Sequence, residues 1–201
     1  DFRLRALSYA ILSPNPHNRQ PWEIELIGTN KIKIYRDKNK GLPETDPFNR
    51  QLTIGMGCFI ETLDIASREF GHSTDIRYFP SGDNGAVAEV TFIPDDTIKK
   101  DELFNSILSR RSCKEPFQKK ALTNSQIDNL AKFGRVISKA SDVENLKKIT
   151  FDAFLVEYKT PRTLKESVDL MRLGKSEINA SPDGIDIGGT KTSIGIVDIR
   201  L

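Results

Sequence analysis

A chain of 201 residues is long enough to build one sizeable core or two small ones. Its 30 lysines and arginines against 28 aspartates and glutamates leave a net charge of +2, without the concentrated basic surface that nucleic-acid or membrane-surface binding requires, so neither partner is expected. No apolar run approaches the length that spans a bilayer, and Cys58 and Cys113 fit neither a disulfide framework nor metal-ligand spacing, which points to a reducing, cytoplasmic setting.

Taken in order, Leu4, Leu7, Ala10 and Ile11 recur at helical spacing over residues 2–12, and Pro14 ends that helix. Trp22, Ile24 and Leu26 alternate with Glu23 and Glu25, and Gly28-Thr29-Asn30 turns the chain into Ile32, Ile34 and Arg36, the pattern of a hairpin. Residues 37–49, rich in Lys, Gly, Pro and Asp, read as a surface excursion.

Leu52, Met56, Phe59, Leu63, Ala66 and Phe70 form an apolar stripe that Ile54, Ile60 and Ile65 widen, so the spacing predicts a buried central helix ended by Gly71. Gly55 and Gly57 near its start each cost about 1 kcal/mol relative to Ala. Either another backbone or a ligand approaches closely there, or the first turn is irregular. Residues 75–79 and 86–93 add two strands, giving a sheet of at least four, antiparallel because hairpin-type links dominate, and an α+β fold.

A helix over 99–109 is expected next. Thr123 and Gln126 then have capping-box spacing, and Gly134 closes that helix. Ser141 and Glu144 repeat the device and open a helix expected to turn Val143, Leu146, Ile149 and Phe154 inward. Pro161 interrupts, and Thr163 with Glu166 makes a third box, with Leu164, Val168 and Met171 as the apolar face of a helix reaching Gly174. The chain opens without Met and closes on an apolar run, 194–201, which reads as a fragment; no signal peptide precedes Asp1, and an export signal further upstream is left open.

Two clusters carry chemistry. Between the first helix and the hairpin lies Ser-Pro-Asn-Pro-His-Asn-Arg-Gln-Pro-Trp, residues 13–22, where Pro14 and Pro16 forbid regular helix and Pro21 fixes the backbone before Trp22. Asn15, His17, Asn18, Arg19 and Gln20 load this shaped loop with donors, as the edge of a ligand site would require; a solvated loop whose amides satisfy its own backbone is the alternative. The second cluster, Arg110, Arg111, Ser112 and Lys114, stands at a predicted helix end and suits a phosphate dianion, since guanidinium forks match phosphate oxygens in pairs. Cations placed favourably at a helix C-terminus are the alternative reading. His17 reads as a polar member of the loop, His72 as a helix-end residue and Cys113 as a semi-buried inert thiol, with a thiol made more acidic by the three neighbouring cations as the alternative.

The first cluster resembles the Pro-Ser-x-x-Asn-x-Gln-Pro-Trp signature of the FMN-dependent nitroreductase family, with Asn15 in place of the serine. Leu42 to Pro47, Arg50 and the stretch from Gly55 to Cys58 resemble its tandem, Acg-type branch, and the likeness runs with gaps from Leu7 to Gly184. The second cluster is similar to the Arg-Arg-Ser-x-Arg element that holds the FMN ribityl-phosphate in that family, with Lys114 in place of the second arginine.

In ordinary members the basic element precedes the loop; here the order is reversed. The resemblance therefore implies fused, pseudo-dimeric repeats, 1–98 and 99–201, whose antiparallel sheets are flanked by helices and which build one composite FMN site per chain. Asn15, His17, Asn18 and Gln20 would approach the flavin or ribityl, and Arg110, Arg111, Ser112 and Lys114 the phosphate. The implied activity is reduction of nitroaromatics or quinones by NAD(P)H through FMN, with no catalytic side chain and no metal; a homodimer is left open.

Two rivals stand beside it. In one, the chain holds or sequesters FMN without turnover. In the other, residues 184–198, with Gly188 and Gly189, resemble the phosphate hairpin of ROK-type sugar kinases.

Overall fold

The computed structural model describes residues 1–112, 115–118, 120–187 and 198–200. Helix α1 (Phe2–Ala10) buries Ala6, Leu7 and Ala10, but Leu4, expected to face inward, is exposed. Arg3 takes an inward position instead, because its guanidinium donates to the carbonyls of Ile27, Gly28 and Lys31 and so fastens the helix to the first hairpin turn.

Strands β1 (Trp22–Ile27) and β2 (Lys31–Arg36) pair antiparallel, with Ile24 opposite Ile34 and Leu26 opposite Ile32. Gly28, at φ +50°, makes the turn. The register places Trp22, Ile24, Ile32 and Ile34 on one face, and all four are buried.

Residues 37–49 are better anchored than their polarity suggests. Leu42 and Asp46 are 1% and 5% exposed, and the Asp46 carboxylate accepts from Arg50 N at 2.8 Å and Leu52 N at 3.0 Å. It thereby caps the next helix, whose preceding residue Asn49 is left-handed and makes no side-chain cap.

Helix α2 (Arg50–Glu69) is the expected central helix: Leu52, Met56, Phe59, Ile60, Leu63 and Ala66 are buried, and Phe59 stacks on Trp22 at 4.8 Å. Burial of each large side chain is worth about 1.5–3 kcal/mol. Ile54 departs from the expectation at 67% exposure, since it lies outside the stripe that meets the sheet.

Gly71, at φ +72°, ends the helix turn and leads into β3 (His72–Tyr78), which pairs antiparallel with β4 (Ala88–Pro94); β4 in turn pairs with β2. The four antiparallel strands expected from the sequence are present.

The helix expected over 99–109 shrinks to α3 (Phe104–Ile107). A local side-chain bond explains the shortening. Asp101 accepts from Leu103 N, so the backbone before Phe104 is held in a turn that competes with helix.

Two compact units are distinguished, one of residues 1–111 with 165–201 and one of residues 112–164. In the second, α4 (Asn124–Ala131) carries the expected capping box, with Thr123 and Gln126 satisfying each other's backbone N–H. Helix α5 (Ala140–Lys159) buries none of its residues. Leu146, Ile149 and Phe154 are exposed rather than inward, because the apolar side chains wind around the helix instead of forming one stripe. Ser141 does not cap it either; its hydroxyl bonds the Asp142 carboxylate.

Helix α6 (Pro161–Asp169) starts at Pro161, two residues before the expected box, in keeping with proline's fitness for a first helical position. Thr163 donates to the Thr160 carbonyl, and Glu166 accepts from Glu44 N, Thr45 N and the Thr45 hydroxyl, so the third capping box does not form. The helix stops at Asp169, short of Gly174. Strand β5 (Met171–Leu173) follows, then α7 (Gly174–Ala180) and β6 (Ile185–Ile187), which pairs parallel with β5. Strand β7 (Asp198–Arg200) adds a parallel edge to β1, giving the larger sheet the order β3-β4-β2-β1-β7. The stretch at Gly188 and Gly189 lies outside the described residues. Among the described residues no helix is long and apolar enough to cross a membrane.

Candidate functional site

The loop between α1 and β1 contains a single 3-10 turn, Pro16–Asn18. His17, Asn18 and Gln20 have φ of 50°, 51° and 49°. Three left-handed residues other than glycine within four positions carry a strain of about 1–3 kcal/mol each and persist only where surrounding contacts impose them.

Those contacts are visible. The Asn15 Oδ1 accepts from Gln20 N at 2.8 Å and closes the loop on itself. Beneath it, a Cβ on Gly55 would stand 3.0 Å from Pro16 Cδ and 3.1 Å from Asn15 Cβ, so a side chain on the first turns of α2 would fit only if the loop gave way by a few tenths of an ångström. Around Gly57 there is open space. The two glycines thus have different reasons: Gly55 answers to a close approach, Gly57 to nothing nearby.

From the other side comes the turn before β6. The Pro182 carbonyl accepts from Asn18 Nδ2 at 3.3 Å and from Gln20 Nε2 at 3.0 Å, and Gly184 N donates to the Asn18 carbonyl at 3.1 Å. Arg19 Nη1 and Lys40 Nζ each reach the Asp183 carboxylate at 2.7 Å, and the Ser181 hydroxyl donates to it at 2.8 Å. Burial pushes the Asp183 carboxyl up, but hydrogen bonds from Lys40 and Ser181 together with the charges of Lys40 and Arg19 outweigh it and hold it below its usual 3.8.

The loop also holds two buried polar atoms, Ser13 Oγ and His17 Nδ1, without a hydrogen-bond partner among the described residues. Buried polar atoms are nearly always paired, so such orphans fit a site that expects a ligand.

The second cluster is only partly gathered to this loop. Arg110 Nη2 donates to the Leu12 carbonyl at 3.0 Å, one residue before Ser13, and so joins two motifs 98 positions apart. Arg111 turns back onto the carbonyls of Leu108 and Arg110, the helix-end placement of the alternative reading. Ser112 is exposed and belongs to the second unit, and Lys114 and Cys113 lie outside the described residues. His72 opens β3, where its ring stacks on Phe2 at 3.8 Å.

Asn15, His17, Asn18 and Gln20 therefore share one turn with Arg110 at its foot. Carboxamide donors and acceptors, two orphaned polar atoms and a guanidinium form a donor set that suits a polar heterocycle carrying a phosphate, and FMN fits that description. The sequence reading missed Lys40 and Asp183. Asp183 is 164 positions from Arg19, and no local pattern signals such a pair.

No family model matches the chain. A Mycobacterium tuberculosis protein named "Putative NAD(P)H nitroreductase acg", found in strains CDC 1551 and H37Rv, is 27% identical over 115 residues, covering 56% of this chain and 34% of that protein. A second protein of the same organism, Rv3127, named as uncharacterized, is 29% identical over 118 residues with the same coverage. The chain thus spans about a third of the length of the curated relatives it matches. The similarity supports a nitroreductase-like relationship.

Proposed function

We propose that the chain is the flavin-holding part of a nitroreductase-type oxidoreductase that binds FMN and uses NAD(P)H to reduce a nitroaromatic or quinone. In this reading residues 1–98 and 99–201 are fused repeats that supply opposite ends of one composite site. Similarity to a protein named as an NAD(P)H nitroreductase supports the reaction class. The observation that supports the composite site is the Arg110 guanidinium on the Leu12 carbonyl, which brings this one member of the basic element to the foot of the amide-rich loop.

FMN, when bound, supplies the two-electron chemistry between nicotinamide and acceptor. The chain's own residues bind and orient. Asn15 holds the loop closed, so that Asn18 and Gln20 meet the ligand with their positions already set and little ordering is lost on binding. Ser13 Oγ and His17 Nδ1 gain in the bound state the partners they lack. In this reading the charges of Arg110, Arg111 and Lys114 offset the phosphate and the Ser112 hydroxyl donates to it, Arg111 exchanging its bonds to the Leu108 and Arg110 carbonyls for paired charge-assisted bonds.

The test is flavin uptake followed by reduction. Wild-type protein is expected to stay yellow through gel filtration, and reversing charge at Arg110 and Arg111 together is expected to leave it colourless; a double variant that stays fully yellow overturns the assignment. Bound FMN that NADPH fails to bleach on a seconds timescale removes the reductase activity and leaves a protein that only holds the flavin.

A further inference from the structure

The Asn18 and Gln20 amides converge on a single acceptor, the Pro182 carbonyl. A carboxamide offers a carbonyl oxygen on one side and two N–H groups on the other, and the two orientations are nearly the same in shape. Only the neighbouring groups decide between them. A proline carbonyl can accept and Pro182 has no N–H to donate, so it obliges both amides to turn an N–H toward it. Whatever then meets Asn18 from the ligand side meets its carbonyl oxygen and its second N–H.

The Pro182 carbonyl is itself held in place. Gly184, at φ +109°, has room for no side chain, since a Cβ there would stand 2.4 Å from the Leu170 carbonyl oxygen. Between these two residues, Asp183 is 13% exposed and lies against Arg19, 11% exposed, and Lys40. Arg19 also donates to the carbonyls of Asn39 and Lys40. One carboxylate therefore ties three stretches together: the loop, the 37–49 excursion and the turn before β6.

We infer that Asp183 is a positioning residue for the flavin loop. Its pairs with Arg19 and Lys40 hold the Pro182 carbonyl where it orients the Asn18 and Gln20 amides toward the ligand. The inference rests on the flavin reading above and adds to it a residue that touches neither flavin nor substrate.

FMN titration of the wild-type chain and of Asp183→Asn, Asp183→Glu and Lys40→Met variants tests it, with far-UV circular dichroism to follow folding and the visible spectrum of each protein recorded at saturating FMN. Asp183→Asn keeps the shape and removes the ion pairs with Arg19 and Lys40, together with the longer one to Arg172 at 3.8 Å. It is expected to weaken FMN binding by about tenfold or more and to shift the visible bands of the saturated flavin, because the amides no longer face it in one orientation. Asp183→Glu is expected to restore part of both effects. Lys40→Met leaves the Arg19 pair in place, is expected to give a smaller change of the same sign, and keeps the test decisive if Asp183→Asn does not fold.

Weaker binding with an unaltered saturated spectrum in the folded variants overturns the positioning role and leaves Asp183 as a support of the loop. Tighter binding overturns it too, and makes the Pro182 turn a competitor for the flavin. A wild-type chain that takes up no FMN overturns the flavin reading and this inference with it.

Discussion

Helices α2 and α5 each run for twenty residues and each carries many apolar side chains, yet α2 buries nine residues and α5 none. In α2 the apolar positions fall on a stripe that one sheet face and α1 can cover together, and Ile54, off that stripe, is left exposed. In α5, Leu146, Ile149, Phe151, Phe154, Val156 and Tyr158 wind around the helix; Phe154 stacks on Tyr158 at 5.8 Å and both remain exposed. A helix gains from burial only where its apolar area is collected on the side that meets a neighbour. Between these two helices, angular spread tracks burial better than the number of apolar residues does.

The sharpest way to break this comparison is to truncate one aromatic from each helix. Phe59→Ala in α2 removes a fully buried ring stacked on Trp22 and is expected to cost about 3–5 kcal/mol. Phe154→Ala in α5 is expected to stay within about 0.5 kcal/mol. Urea unfolding followed by the fluorescence of Trp22, the chain's single tryptophan, measures the first, and far-UV circular dichroism measures the second. Equal costs would refute the contrast.

A smaller effect sharpens it inside α2 itself. Gly55→Ala drives a methyl into Asn15 and Pro16 and is expected to cost about 1–3 kcal/mol. Gly57→Ala meets open space and is expected to stabilise by up to about 1 kcal/mol, since alanine is the better helix former. Thermal melts of the two variants should move in opposite directions; a shift of the same sign would break the assignment of the loop contact to Gly55.

The smallest effect is a pH dependence at the turn before β6. Asp183 is held below its usual 3.8 in the folded chain, so over the interval between the two values the unfolded chain binds more protons and stability rises with pH. The contribution is complete above the unfolded value and is lost as pH falls through the folded one. Asp183→Asn is expected to flatten that part of the acid limb in pH-dependent melts, and an unchanged limb would count against the ion pairs with Arg19 and Lys40.

What was legible beforehand follows one division. The alternation in β1 and β2, the stripe of α2, the stop at Gly71 and the capping box at Thr123 were readable because each is written within a few consecutive residues, where pleat, helical period and capping geometry act. The failures have the same cause seen from the other side. Arg3 replaced Leu4 inside α1 because three hairpin carbonyls waited for a donor. The box at Thr163 did not form because Glu166 bonded Thr45 and Glu44 instead.

For the candidate site, the residue types and the interruption of regular helix by Pro14 and Pro16 were legible within the 13–22 loop itself. Only the tertiary structure decided that Gly55 would lie beneath Asn15, that Arg110 would reach Leu12, and that Asp183 would stand between Arg19 and Lys40. Those contacts join positions from tens to more than a hundred and fifty residues apart. Local periodicity carries no trace of them, because which distant groups meet depends on how the whole chain buries its apolar faces.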